Sequence, residues 1–202
     1  VEMLGIMDAR EELAELYRTE SEFEVKAKIL EGLFIADDAA TLAELARSEP
    51  NPDLRRKAIE GLGLVDSQES RQVLESLYES ETDTTTRAKI LEAFFLMDDA
   101  ETLGRVAREE QDPELRAKAI EGLGLVSTRE SGETLKALYS TETDRGIKVS
   151  ILQAFMLQEN AEALIEIVRS EEDRELRKQA LQYLSFIDSD EAMDFLLTAL
   201  ED

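Results

Sequence analysis

Paired carboxylates are the side chains of this sequence whose spacing could support chemistry. They occur at Asp37–Asp38, at Asp98–Asp99, and at Asp188 and Asp190. Two carboxyl groups can act as a general acid and base when both are desolvated and face one cleft. Neighbouring residues at the start of a helix point in different directions, and turns are solvated. We therefore expect these carboxylates to cap helices instead.

Other kinds of catalytic and ligand-binding residue are missing. Cysteine, histidine and tryptophan are absent, which excludes disulfides, thiolate and imidazole chemistry and the usual zinc ligands. No D-x-[DN]-x-[DN]-G calcium loop occurs, and the G-L-G of residues 61–63 lies in a predicted helix and does not follow a strand. Serines and threonines have no evident activating base. We expect no catalytic residue, no cofactor and no metal.

The charge of the chain limits its partners. It has 47 acidic and 23 basic residues and a net charge of −24. This charge repels phosphate backbones and anionic lipids, so we expect neither nucleic-acid binding nor membrane insertion. Apolar runs such as AFFLM at 93–97 are too short to cross a bilayer. A basic or neutral protein partner stays open, as does a purely solubilising role for the charge. A cysteine-free chain suits either side of a membrane.

An internal repeat organises the sequence. The word AIEGLGLV occurs at 58–65 and again at 119–126. The equivalents of Glu60 are separated by steps of 29 or 32 residues and are Glu2, Glu31, Glu60, Glu92, Glu121, Gln153 and Gln182. The spacing predicts repeats at about 1–20, 21–50, 51–81, 82–110, 111–142, 143–172 and 173–202.

Each repeat has the pattern of two helices. In the third repeat, apolar residues from Leu54 to Val65 follow a 3.6-residue period, with Asn51 as the expected N-cap and Pro52 at the first helical position. A polar turn and a second periodic segment follow. Alternating strand patterns are missing. Helix pairs on a period of about 30 residues stack into a superhelix, so we predict an all-α α-solenoid of about seven pairs.

Small and large residues alternate along the predicted core. Three positions after the Glu60 equivalents lie Gly5, Phe34, Gly63, Phe95, Gly124, Met156 and Ser185. The second helices alternate in the opposite phase, with Tyr17, Ala46, Tyr78, Ala107 and Tyr139. Interiors are close-packed, so we expect Tyr78 to pack towards Gly63 and Tyr139 towards Gly124. The tyrosines are then core residues, and the alternative is a strip that binds a peptide.

Two rows of charged residues run through the repeats. The basic row is Lys26, Arg55, Arg87, Arg116, Lys148 and Arg177. The mainly acidic row, in the turn between the helices of a pair, is Asp8, Asp37, Asp66, Asp98, Ser127, Glu159 and Asp188. We expect the acidic row to cap the second helices and to pair with bases of an adjacent layer.

These features resemble HEAT repeats, in particular the short bacterial kind of about thirty residues that also occurs in phycobilin lyase-like proteins. The resemblance rests on NPDLRRKAIEGLGLVDSQESRQVLESLYES and DPELRAKAIEGLGLVSTRESGETLKALYS. The matching elements are the D-P-x-L-R opening, A-x-x-x-L-G, the turn Asp and L-x-x-L. Armadillo repeats fit less well, because they need a third helix. The resemblance implies a scaffold or adaptor whose second helices line a protein-binding face.

Charged residues of mixed sign lie between and beyond the core leucines of the second helices. The candidate partner-binding residues are Glu15, Glu44, Arg47, Glu75, Arg105, Arg108, Lys136, Glu166 and Arg169. Mixed charge suits specific protein contact, although an ordinary solvated face would look the same.

The sequence therefore predicts a non-catalytic protein-protein interaction scaffold with an unidentified protein partner. Two alternatives stay open: a lyase-like enzyme or cofactor chaperone of the bilin-lyase type, and a structural spacer. The chain begins inside a helix with Val1, Met3, Leu4 and Ile6, apolar residues that a terminal repeat would normally shield. We expect it to be a fragment of a longer bacterial protein.

Overall fold

The computed structural model describes residues 9–199, and within them all regular secondary structure is helical. The helices are α1 Arg10–Thr19, α2 Phe23–Ile35, α3 Ala39–Ser48, α4 Pro52–Val65, α5 Gln68–Ser80, α6 Thr84–Leu96, α7 Ala100–Glu109, α8 Pro113–Val126, α9 Arg129–Thr141, α10 Arg145–Leu157, α11 Ala161–Ser170, α12 Arg174–Leu184 and α13 Asp190–Ala199. The predicted all-α fold is confirmed. The predictions for Val1, Glu2, Met3, Leu4, Gly5, Ile6 and Asp8 lie outside the described residues.

The chain forms two compact units, an N-terminal unit over Val1–Asp98 and a C-terminal unit over Asp99–Asp202. In the N-terminal unit, α4 packs against α2, α3, α5 and α6. In the C-terminal unit, α10 packs against α8, α9, α11 and α12. Each of these helices thus contacts its pair mate and the first helices of the repeats on either side, as expected of stacked helix pairs.

Helix α4 shows why these sequences become helices. The Asn51 side chain accepts the backbone N–H groups of Asp53 and Leu54 at 2.9 and 3.2 Å, and Pro52 occupies the first turn. The predicted cap is confirmed. The periodic apolar positions form the buried face, which includes Leu54, Ala58, Ile59 and Leu62.

In the turn inside each pair, the residue that caps the second helix lies one position later than predicted. The second helices are capped by Asp38, Ser67, Asp99, Thr128 and Asn160, and Oγ of Ser189 likewise accepts the Ala192 N–H at the start of α13. The preceding positions have φ between 43° and 57° and are Asp37, Asp66, Asp98, Ser127 and Glu159. The prediction that these residues are the caps was wrong, because the first helix needs one left-handed residue to end.

One residue closes the first helix and also starts the second. The N–H of Asp38 donates to the carbonyl of Leu33, and the N–H of Asp37 to that of Phe34, which is the hydrogen-bond pattern of a Schellman motif. The Asp38 carboxylate then accepts the N–H of Thr41 at 3.1 Å. Within the pair Asp37–Asp38, one residue therefore makes the turn and the other is the cap.

The glycines mark close approaches between consecutive first helices. A Cβ added at Gly63 would lie 2.8 Å from the Cα of Ala93, and one at Gly124 would lie 2.8 Å from the Cα of Ala154. The nearest atoms belong to these alanines. The sequence pattern predicted packing of Tyr78 against Gly63 and of Tyr139 against Gly124 as the reason for the glycines. That explanation is wrong, since the closest contacts are with the alanines. Because glycine has no side chain, the backbone of the neighbouring first helix comes into contact with it. A change of side-chain rotamer could not move that backbone to make room for a larger residue.

We predict that Gly63→Ala lowers the free energy of unfolding by about 1–3 kcal/mol, because a methyl group would be forced against the backbone of α6. An alanine inside a helix normally adds up to about 1 kcal/mol. Gly61→Ala in the same helix is the control, since its Cβ would meet the end of the Leu42 side chain at 3.0 Å. Urea denaturation of both variants tests the contact. Equal stability of the two would contradict it.

Candidate functional site

All nine candidate partner-binding residues lie on second helices. Six of them are exposed, namely Glu15, Glu44, Arg47, Arg108, Glu166 and Arg169. Three are half-buried, namely Glu75, Arg105 and Lys136. The sequence pattern thus selected positions that solvent reaches, in both units.

Ion pairs bring some of these residues together within a unit. Lys136 on α9 lies 3.1 Å from the Glu166 carboxylate on α11. Glu44 on α3 is paired instead with Arg18 on α1, at 3.4 Å. Exposed pairs of this kind contribute about 0–1 kcal/mol to stability. A binding partner could therefore replace these ion pairs with its own at a small cost in free energy.

The three equivalent arginines have a local role as well. Arg47, Arg108 and Arg169 each lie in the last turn of a second helix. A cation there interacts favourably with the helix dipole. Arg169 also lies over the ring of Phe195, 5.2 Å from its centroid. Their recurrence therefore has a structural cause that needs no partner.

Sequence analysis missed a row of glutamates that end the second helices. These C-caps are Glu20, Glu49, Glu81, Glu110, Glu142 and Glu171. Each carboxylate accepts backbone N–H groups of the following link; Glu81, for example, accepts those of Thr82 and Asp83 at 2.8 and 2.9 Å. The signal was present as an acid that recurs at steps of 29 and 32 residues, two residues before the next N-cap.

The basic row pairs with these glutamates. The pairs are Lys26–Glu49 at 3.7 Å, Arg55–Glu81 at 3.4 Å, Lys148–Glu171 at 3.1 Å, and Arg116–Glu142. The predicted pairing with the acids of the turn inside each pair was wrong. Each base lies near the start of a first helix, and the chain returns to that end when the second helix finishes. The turn acids lie at the opposite end of the pair.

A tyrosine joins this pairing in the C-terminal unit. The Tyr139 hydroxyl donates to Oε2 of Glu171 at 2.6 Å. Lys148 donates to the same oxygen at 3.1 Å, and its ammonium lies 4.7 Å from the centroid of the Tyr139 ring. The N-terminal unit has the same arrangement 122 positions earlier, formed by Tyr17, Lys26 and Glu49.

The protonation states of this cluster follow from its contacts. Burial opposes ionisation of Glu171, but the hydrogen bond from Tyr139, the backbone N–H of Asp173 and the charge of Lys148 outweigh it and lower its pKa to about 2. Burial and the bond to Glu171 raise the pKa of Tyr139 far above its usual range. At neutral pH the glutamate is ionised and the tyrosine keeps its proton.

A cavity of about 500 Å³ opens beside this cluster, between α9 and α11. Its lining includes Lys136, Tyr139, Ser140, Glu166, Ile167 and Glu172. The volume lies in the range of ligand-binding clefts. The candidate residues Lys136 and Glu166 therefore lie on the wall of a cavity.

Within residues 9–199, no group of three or more Asp and Glu side chains could hold a metal ion. None of the helices described here is both long and apolar enough to cross a membrane.

Comparison with known proteins identifies the repeats. The family model for HEAT repeats matches residues 10–95. This stretch is a HEAT-repeat array. The resemblance predicted from the sequence is thereby confirmed, and no curated protein matches the chain.

Among solved structures, the chain is similar to the complex of CpcE and CpcF of phycocyanin lyase from Nostoc sp. PCC7120. The identity is 14% and the TM-score 0.41, and the match covers 98% of this chain and 86% of that one. A likeness at this level carries no information about function.

We predict that Tyr139→Phe lowers the free energy of unfolding at pH 7 by about 1–2 kcal/mol, because Glu171 loses a hydrogen bond to its charged form. The pKa of Glu171 is lowered by folding, so its contribution is present above the unfolded pKa and is lost as pH falls towards about 2. The stability gap between parent and variant should therefore narrow between about pH 4 and pH 2.

Urea denaturation across this pH range measures the gap. Tyr183→Phe is the control, because no hydrogen bond from Tyr183 to a carboxylate is found in the described residues. A gap for Tyr139→Phe that stays constant down to pH 2 would show that Glu171 does not depend on the tyrosine.

Proposed function

We propose that this chain is a non-catalytic protein-interaction scaffold that binds a protein partner on the face lined by the second helices. The observation that carries the proposal is the cavity of about 500 Å³ between α9 and α11. Charged and apolar side chains line it together, including Lys136, Glu166 and Ile167. A lining of mixed charge and apolar side chains complements a protein surface better than it complements a polyion with charges of one sign.

The environment of the acidic groups supports a non-catalytic role. Asp38 and Asp99 are bound to backbone N–H groups at the starts of α3 and α7. Glu171 is held ionised by Tyr139 and Lys148. A general acid or base needs a pKa near the working pH, and the lowered pKa of Glu171 is far from it.

The charge and the repeat architecture support a protein as the partner. A net charge of −24 opposes binding to phosphate backbones. Stacked repeats present an extended surface to which each repeat contributes a few residues. Exposed residues on neighbouring second helices of one unit can then bind one partner together.

A pull-down from a lysate of the source organism, at physiological salt, tests the face. The test variant changes Arg47, Arg105, Arg108 and Arg169 to Glu. The matched control makes the same four charge reversals on first helices, at Lys28, Lys57, Lys118 and Lys178. We expect the test variant to capture at least about tenfold less of the partner than the parent chain does, and the control to capture as much as the parent. The reason is that charges at the rim of an interface affect how fast the partners associate.

Two outcomes would contradict the proposal. If both variants lose capture of the partner equally, binding depends on the total charge of the chain and not on the face of the second helices. No capture by the parent chain would favour a structural spacer. Circular dichroism of each variant separates loss of binding from loss of folding.

A further inference from the structure

The two units differ at an ion pair between neighbouring second helices. In the N-terminal unit, the guanidinium of Arg18 binds the carboxylate of Glu44 at 3.4 Å. The residues 122 positions later are Ser140 and Glu166. The C-terminal unit therefore keeps the carboxylate but replaces the arginine by a side chain too short to reach it.

The space beside Ser140 is part of the cavity between α9 and α11. Lys136 currently binds Glu166 at 3.1 Å, with 37% and 57% of the two side chains exposed. Its equivalent in the N-terminal unit is Ala14. A pair this exposed is worth about 0–1 kcal/mol, so an incoming cation can displace Lys136 from the carboxylate at little cost.

The remaining lining suits a long side chain with a cationic end. Ile167 and Ala163 provide an apolar wall, and Glu172 provides a second carboxylate at the same cavity. Lys148 also lines the cavity, but its charge is paired with Glu171. An arginine packs its methylene groups on apolar surface while its head stays charged. Its planar guanidinium can bind a carboxylate with two hydrogen bonds, which a lysine cannot do.

We propose that this cavity binds an arginine side chain from the partner protein, at the position that Arg18 occupies in the N-terminal unit. The guanidinium binds Glu166, and the methylene groups pack on Ile167. The net charge of −24 steers cationic segments towards the chain. The inference rests on the proposed function and specifies the chemistry of its partner.

A titration followed by NMR tests the site directly. The probe is the blocked tripeptide acetyl-Ala-Arg-Ala-amide, added to chain labelled with ¹³C at the isoleucine methyl groups. We expect a saturable shift of the Ile167 methyl signal that exceeds the shift of every other isoleucine. The same peptide with citrulline in place of arginine is uncharged but similar in shape, and should bind at least about tenfold more weakly.

Three variants locate the binding. Ser140→Arg copies the N-terminal unit and should abolish the Ile167 shift, because the chain's own arginine would fill the cavity. Glu166→Gln should weaken binding by at least about fivefold, since it removes the charge that the guanidinium pairs with. Glu44→Gln removes the equivalent charge of the N-terminal unit and should leave the Ile167 shift unchanged.

Several results would overturn the inference. They are equal shifts at all isoleucines, equal binding of the citrulline peptide, or unchanged binding in both Glu166→Gln and Ser140→Arg. Signals of Ile120 and Ile151, which are buried in the same unit away from the cavity, report whether Ser140→Arg and Glu166→Gln are folded. The titration contains no partner protein, so its failure leaves the pull-down result standing. A failed pull-down with a positive titration would refute only the scaffold role.

Discussion

A single carboxylate links three helices and the chain between two repeats. Glu171 ends α11, binds the backbone of the following link at Asp173, and accepts hydrogen bonds from Tyr139 on α9 and Lys148 on α10. Tyr139, Lys148 and Glu171 also line the cavity, so these contacts form part of its wall. A charged group can hold this position only because several donors replace the water that it has lost. Glu49 makes the equivalent contacts in the N-terminal unit.

Features encoded within a few neighbouring residues were predictable from the sequence. The cap at Asn51, the proline in the first turn and the apolar stripe of α4 depend only on helix geometry, and the structure has all three. The repeat itself required only self-comparison. Candidate residues such as Lys136 and Glu166 were also found in this way, because solvent-facing positions follow from the same periodicity.

Features that depend on distances between helices were not predictable. The sequence shows glycine at 63, but only the structure shows that the Cα of Ala93 would lie 2.8 Å from an added Cβ. The bases were assigned to the wrong acids for a similar reason: both rows recur with the same spacing, so periodicity cannot choose between Asp66 and Glu81 as the partner of Arg55. The cavity also escaped prediction, since it is bounded by two helices that are separate in sequence.

The residue shared by α2 and α3 has a mechanical consequence. Asp38 closes α2 through its N–H and starts α3 through its carboxylate, so no slack chain separates the two helices. The turn therefore transmits a pulling force directly from one helix to the other. The link after α3 is equally short, and the Glu49 carboxylate accepts the Asn51 N–H across it at 2.9 Å. Neither connection contains slack, so a displacement of one helix is passed on to the next.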